Sequence, residues 1–385
     1  MVRKRAFTDS LRRKIRDTQR LHMWNQAAIY RRRRRTFAVS VVLVLLLILI
    51  IATTGGGGIP SKRATTGQAT LPTSPAPLEY TPSAALLAPI LASAAARIPG
   101  NPALTLLGGL DANNSASAGV AFVDSTTIKL VGTLPASLFA AAAVTIGEDE
   151  YLFGGAEGTA SAPVPQPYIY SYAVKGSGAI TQDGELHSPN YGLSAAVIGQ
   201  TVYLVGGDDG THTLADIYAW SPGHGAPTLA AQLPVGLRYA AVSAVGERLV
   251  IAGGLTASGP ASKAIYVFDS ATHKIKALRT KLPRAIYAAA GETLGKLAYV
   301  IGGATVGGTA TNATALPVGT IYSVDPATGK VANAGTLQYP LAEAAATVIG
   351  DTIYLAGGLS GSAAVSYVGK LTVKQALTTS KSKTH

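Results

Sequence analysis

The residues best suited to chemistry lie in one short stretch, Asp208-Asp209-Gly210-Thr211-His212. Two carboxylates and an imidazole this close together predict a contact for a cation or a polar substrate. The commoner interpretation of such a stretch is a polar turn whose aspartates bind their own backbone. The chain has 6 histidines and no cysteine, and no two histidines stand at metal-ligand spacing. We therefore take Asp208, Asp209 and His212 as candidate binding residues and expect neither a cofactor nor a metal.

Sequence motifs for catalysis are missing. The chain has no G-x-S-x-G element, and the run Gly55–Gly58 is not followed by the Lys-Ser/Thr of a phosphate-binding loop. Without cysteine there is no thiolate nucleophile and no zinc-thiolate site. We expect a non-enzymatic binding module. An enzyme that acts on a sugar or a cell-envelope glycan is the alternative.

A glycine doublet organises most of the chain. Six such doublets follow one another at intervals of 46 to 55 residues. A unit of this length that repeats along a chain indicates a solenoid, a propeller or an array. The doublets are Gly108-Gly109, Gly154-Gly155, Gly206-Gly207, Gly253-Gly254, Gly302-Gly303 and Gly357-Gly358.

The segments around each doublet predict four strands. An apolar run such as Tyr203–Val205 precedes the doublet, and a further glycine, here Gly199, separates it from an earlier apolar run. A polar loop and a third strand such as Ile217–Trp220 follow, and a fourth strand ends near a proline, here Pro234. Six units of four strands predict an all-β, six-bladed β-propeller.

The order of these signals resembles the kelch repeat, in which an apolar strand, Gly-Gly and a Tyr-x-x-Asp strand succeed one another. The Tyr-x-x-Asp pattern stands at Tyr266–Asp269 and Tyr322–Asp325. The outer-strand tryptophan of that repeat is absent, because the chain has only Trp24 and Trp220. The resemblance covers residues 80–375 and implies a divergent member of this class. It also implies that the loops after the doublets gather on one face around the central channel.

Two of these loops are long, Ala156–Pro167 and Ala304–Gly319. Variable loops on a rigid scaffold are where binding residues concentrate. Thr311 and Asn312 in the second loop are therefore candidate binding residues too. We expect the partner to be a protein or a cell-envelope polymer.

The N-terminal part predicts a membrane anchor. Residues 1–35 carry 13 Lys and Arg against Asp9 and Asp17, and form a basic tail. Residues 36–54 predict a transmembrane helix, because Ala38–Ala52 contains twelve Leu, Ile or Val. Positive charge before this helix predicts a cytoplasmic N-terminus and an external propeller at the cell membrane. A cleaved export signal is the alternative.

The rest of the chain follows from composition. Residues 55–79 form a linker rich in Gly, Pro, Thr and Ser, and residues 376–385 a disordered tail. Beyond residue 35 the chain holds 19 basic and 18 acidic residues, so we expect no nucleic-acid partner. A transmembrane sensor is the second alternative function.

The ends of the propeller are predicted to meet. The last unit offers Ala363–Val368 and a short run, Leu371–Val373, but no clear outer strand. The segment Ser83–Ile90 resembles an outer strand. We predict that this N-terminal segment completes, or packs beside, the C-terminal blade, because closure removes an exposed sheet edge.

Overall fold

The computed structural model describes residues 77–124, 127–309 and 312–374. This part of the chain forms 30 β-strands and contains no helix. Accordingly, no helix within it is long and apolar enough to cross a membrane. The predicted basic tail, transmembrane helix and C-terminal tail, and nearly all of the predicted linker, lie outside the described residues.

Six four-stranded antiparallel sheets form the six blades, as predicted. In order from the channel outwards, blade 1 consists of β2 (Ala94–Arg97), β3 (Leu104–Leu107), β4 (Gly119–Val123) and β5 (Ile128–Thr133), and blade 2 of β6 (Ala142–Ile146), β7 (Asp149–Phe153), β10 (Tyr168–Tyr172) and β11 (Ile180–Glu185). In the same order, blade 3 consists of β12 (Ser194–Ile198), β13 (Thr201–Val205), β14 (Asp216–Trp220) and β15 (Thr228–Gln232), and blade 4 of β16 (Ala241–Val245), β17 (Arg248–Ala252), β18 (Ile265–Asp269) and β19 (Lys274–Ala277). Blade 5 consists of β20 (Ala290–Leu294), β21 (Leu297–Ile301), β24 (Thr320–Val324) and β25 (Val331–Thr336), and blade 6 of β26 (Ala345–Ile349), β27 (Thr352–Ala356), β30 (Tyr367–Val373) and β1 (Leu78–Ala85). Three small hairpins complete the fold: β8 (Ala156–Thr159) with β9 (Ala162–Pro165), β22 (Ala304–Thr309) with β23 (Asn312–Pro317), and β28 (Leu359–Ser360) with β29 (Ala363–Ala364).

The N-terminal strand closes the ring. β1 pairs antiparallel with β30, from Leu78 opposite Val373 to Ala85 opposite Tyr367. The predicted closure is therefore confirmed, although the strand begins five residues earlier than Ser83. The division of the last unit was wrong, because one continuous strand, Tyr367–Val373, replaces the two runs expected there. It can run unbroken because β1 supplies the outer pairing that a fourth strand gives in the other blades.

The doublets join neighbouring blades. The N–H of Gly207 donates to the carbonyl of Leu237, in the segment that enters blade 4, and the other five doublets repeat this bond. The backbone φ of Gly206 is 61°, and a Cβ there would lie 2.0 Å from the Leu237 oxygen. Only glycine allows so close an approach. The repeated doublet is thus a device for packing blade against blade.

Apolar side chains fill the spaces between blades. Trp220 of β14 is buried and lies edge-on to Tyr151 and Phe153 of blade 2, with ring centroids 5.1 and 5.2 Å apart. One interface also holds a carboxyl group. Glu150 of β7 is 1% exposed, and its Oε1 accepts a hydrogen bond of 2.6 Å from Thr105 of blade 1.

Candidate functional site

A ring of six backbone hydrogen bonds encircles one end of the central channel. Just before each inner strand, one residue donates its N–H to the carbonyl of its counterpart in the preceding blade, over 2.7 to 3.0 Å. All six have left-handed φ angles of 51° to 62°. These residues, here called the mouth ring, are Ala92, Ala140, Gly192, Tyr239, Ala288 and Glu343. The ring lies on the face where the doublets end the second strands, which we call the doublet face.

Only two members of the mouth ring have long side chains, Tyr239 and Glu343. The other four are alanine or glycine, and they leave a cavity of about 120 Å³ lined by both long side chains. The ring of Tyr239 lies over the bare Cα of Gly192, where a Cβ would come within 3.0 Å of it. The ring thus combines an open mouth with two polar groups.

A second layer of polar groups supports one side of the mouth. Arg238 Nη1 lies 3.1 Å from Asp208 Oδ2 and donates to Tyr191 Oη, also at 3.1 Å. Asp208 Oδ2 further accepts from Thr213 Oγ1 at 2.9 Å. Buried Arg238 Nε has no hydrogen-bond partner among the described residues. The corresponding positions of blades 1 and 2 are Leu91 and Phe139, which are buried in an apolar core cluster.

The carboxyl group of Glu343 dominates the electrostatics of the mouth. Loss of hydration raises its pKa from 4.5 to about 7. Burial, and next the charge of Glu343, raise the pKa of Tyr239 well above its usual value. The same two causes, in the same order, raise the pKa of Tyr287, while Arg238 lowers it. Both phenols therefore stay protonated at neutral pH, and Glu343 titrates near it.

Small side chains line the channel below the mouth. Cavities of about 190 and 250 Å³ continue from the mouth cavity along the inner strands, between residues that are mostly Ala, Val, Ser and Thr. Glu292 on β20 is the acidic residue of this wall, and burial raises its pKa to about 8. Arg97 lies exposed at the far end. The channel is thus narrow, uncharged along most of its length, and marked by one internal carboxyl group.

The predicted residues of blade 3 divide between the mouth and an outer turn. Asp208 is buried beside Arg238, at the edge of the mouth. Asp209 Oδ1 accepts from Thr211 Oγ1 and from the N–H groups of Thr211 and His212, at 2.6 to 2.7 Å. The hydrogen bond from the Thr211 hydroxyl contributes most to lowering the pKa of Asp209. The His212 side chain is 79% exposed. Asp209 and His212 therefore shape a turn, and Asp208 lies beside Arg238, while the predicted binding role of all three stays a prediction.

The predicted loops of blades 2 and 5 are hairpins. β8 pairs with β9, and β22 pairs with β23 from Ala304 opposite Pro317 to Thr309 opposite Asn312. They rise from the doublet face, as the loops were expected to do. Asn312 lies at the far end of its hairpin, and Thr311 lies outside the described residues. Their predicted role in binding stays a prediction.

Sequence reasoning missed Tyr191, Arg238, Tyr239, Tyr287 and Glu343. The missing signal was the repeat register. Counted from each inner strand, the mouth-ring position is alanine or glycine in four units and Tyr or Glu in two. Where a position is alanine or glycine in most units, a large polar residue in one unit is not needed for packing of the blades and is therefore a candidate for function. Aligning the six units would have drawn attention to Tyr239 and Glu343.

Comparison with known proteins agrees with this architecture. The family described as Kelch motif matches residues 189–225, which span most of blade 3. The chain is a six-bladed β-propeller that carries a kelch motif. A solved structure described as "Structure of YjhT" superposes on this propeller with a TM-score of 0.63 and 17% identity, over 76% of this chain and 97% of that one. At this identity the likeness shows the shared fold alone. No curated protein matches the chain significantly in sequence. The kelch-type propeller is a fold that commonly mediates binding.

Within the described residues, no group of three or more His, Asp or Glu side chains is placed to hold a metal ion. The mouth cavity instead offers one carboxyl group and one phenol, and the ion pair of Arg238 with Asp208 lies next to it. Such an arrangement can bind a small polar group through hydrogen bonds and charge.

Proposed function

We propose that this protein is a membrane-anchored, external binding module whose ligand enters at the doublet face. The mouth carries the proposal: four small ring residues leave an opening, and the polar side chains of Tyr239 and Glu343 line the cavity there. A rigid scaffold with small, variable elements on one face is a common arrangement for recognition. The partner is a protein or a cell-envelope polymer. The hydrophobic run within residues 36–54 supports anchoring, and the five arginines before it support a cytoplasmic N-terminus.

A glycan-processing enzyme is the second candidate, because Glu343 titrates near neutral pH beside two phenols. A general acid or base needs such a pKa. Glycoside hydrolysis by the common mechanisms, however, uses two carboxyl groups. Glu343 is the one acidic residue that lines the mouth cavity, and no histidine lines it. These observations favour binding.

Capture of envelope components by the full chain tests the proposal. Immobilised protein is incubated with solubilised envelope proteins and polymers, and captured material is identified by mass spectrometry and glycan analysis. The key variant is Ala92→Tyr, which fills the mouth. The ring accepts a tyrosine at this position in blade 4, where Tyr239 has a φ of 55° against 52° for Ala92.

We expect saturable capture of one component and its loss in Ala92→Tyr. The matched control shortens the turn Val174–Ala179, at the ends of strands that point away from the doublet face. Equal capture by both variants would show that the mouth is not the binding site. Turnover of a captured glycan, abolished by Glu343→Gln, would instead establish the enzyme.

A further inference from the structure

The mouth cavity holds a carboxyl group without a protein partner. No hydrogen bond or ion pair joins the Glu343 side chain to any other described residue, and this side chain lines the open mouth cavity of about 120 Å³. Carboxylates removed from water ordinarily have a cationic or hydrogen-bonding partner. Asp208 shows the contrast, because its oxygens accept from Arg238, Thr213 and the N–H of Gly210. Glu343, by contrast, is partly exposed at the cavity, so its carboxyl group is free to meet a ligand.

The charges around the cavity select a cation. Arg238 is the basic residue of this region, and its charge is balanced by Asp208 at 3.1 Å. Glu292 adds a second carboxyl group deeper in the channel, and Arg97 lies at the opposite end. When the carboxyl groups ionise, the mouth is thus left with uncompensated negative charge. A carboxylate or phosphate ligand would be repelled there.

The neighbouring side chains select the kind of cation. The described residues offer no cluster of three or more acidic or histidine ligands, so a metal ion would find one carboxyl group where it needs several. Tyr239 lines the mouth cavity together with Glu343, and burial, and next the charge of Glu343, raise the pKa of both Tyr239 and Tyr287. A carboxylate with tyrosine beside it is a favourable environment for an ammonium group, which gains a charged hydrogen bond and cation–π attraction.

Building on the function proposed above, we propose that the mouth cavity binds an ammonium group, with Glu343 as its counter-charge and Tyr239 and Tyr287 beside it. Four small ring residues give the group room to enter, and the alanine side chains that line the cavity suit a methylene chain or the apolar face of a sugar. A lysine side chain and an amino sugar both carry this group.

The binding should depend on pH in a defined direction. Of the titratable groups near Glu343, Tyr239 and Tyr287 stay neutral at pH 6 to 8 because burial, and next the charge of Glu343, raise their pKa values above 10. Arg238 is paired with Asp208, and Glu292, deeper in the channel, has a pKa of about 8. Glu343 itself has a pKa of about 7. It is about one-tenth ionised at pH 6 and nine-tenths at pH 8. An alkylammonium ligand remains charged throughout, so its affinity should rise about tenfold from pH 6 to pH 8.

Titration calorimetry of the full chain in detergent, with n-butylammonium as the probe and n-butanol as its neutral counterpart, tests this proposal. We expect saturable binding of the ammonium probe only, about tenfold tighter at pH 8 than at pH 6. Glu343→Gln should weaken binding at pH 8 at least tenfold and remove its pH dependence. Glu157→Gln, on hairpin β8–β9 of the same face, is the matched control and should leave both unchanged.

Three results would overturn the proposal: equal binding of butanol, full affinity in Glu343→Gln, or loss of binding in Glu292→Gln with Glu343→Gln unaffected. The last would place the site deeper in the channel. Nα-acetyl-lysinamide and glucosamine, compared at pH 7, then distinguish a lysine-bearing partner from an amino sugar. Envelope capture that is lost in Ala92→Tyr but unchanged in Glu343→Gln would disprove the ammonium site and leave the binding module intact.

Discussion

Replacing the buried carboxyl group of Glu150 by an amide should stabilise the propeller, and increasingly so at higher pH. Glu150 lies between blades 1 and 2, and Thr105 Oγ1 donates to its Oε1. Its Oε2 has no hydrogen-bond partner among the described residues. Burial raises the pKa of Glu150 from 4.5 to about 8, against the lowering effect of the Thr105 hydrogen bond. Glu150→Gln keeps the shape and that hydrogen bond but has no charge.

The sign and size follow from proton linkage. The folded state binds this proton more tightly than the unfolded state, so the full contribution to stability is present below pH 4.5 and is lost as the pH rises to about 8. At 1.36 kcal/mol for each pH unit, the loss is about 1 kcal/mol at pH 5, about 3 at pH 7 and about 5 at pH 9. The glutamine of Glu150→Gln does not titrate, so the variant does not lose stability in this way as the pH rises. The advantage of Glu150→Gln should therefore grow by about 4 kcal/mol between pH 5 and pH 9. An unpaired amide N–H subtracts about 1 kcal/mol at every pH.

Urea unfolding of the full chain at pH 5, 7 and 9 measures this difference. The fluorescence of Trp220 reports it well, because that ring is buried against Tyr151, the neighbour of Glu150. Glu148→Gln makes the same charge change two residues away at a side chain that is 70% exposed, and it should show no such trend. A free-energy difference between wild type and Glu150→Gln that stays constant over this pH range would refute the reasoning.

Three further predictions concern the scaffold and the mouth. Gly206→Ala should lower the free energy of unfolding by more than about 3 kcal/mol, because its Cβ would meet a carbonyl oxygen in the segment that enters the next blade. Gly199→Ala is the control: its φ of 64° is similar but the space around it is open, so it should lower the free energy of unfolding by about 1 kcal/mol. Equal losses in urea unfolding would contradict the packing argument. Deleting residues 78–85, which form β1, should expose the edge of blade 6, seen as rapid proteolysis near residues 367–373; unchanged protection would disprove closure by this strand. Asp208→Asn should cost about 2 kcal/mol by leaving Arg238 without its counter-charge, and adding Arg238→Met should recover at least half; additive losses in a double-mutant cycle would show that the pair is not coupled.

Much of the fold could be predicted from the sequence, because its signals are local and repeated. A glycine doublet after a buried apolar run, such as Tyr203–Val205, marks the end of a second strand wherever it occurs. Even the closure of the ring could be predicted, since a last unit without an outer strand needs one from elsewhere. The single strand Tyr367–Val373 was harder, because its pairing with β1 depends on residues almost 300 positions away.

The mouth could not be predicted in the same way. Asp208, Asp209 and His212 are adjacent in sequence and look alike as candidates, yet Asp208 turns inward to Arg238 while the other two complete an exposed turn. Tyr239 and Glu343 lie about a hundred residues apart and carry no motif. Only the ring of backbone hydrogen bonds brings them to the edge of one cavity. The sequence by itself determined the blades, because strand patterning and glycine turns act over a few residues. The tertiary structure alone decided the site, because a site formed by closing a ring depends on which distant residues occupy equivalent positions around its axis.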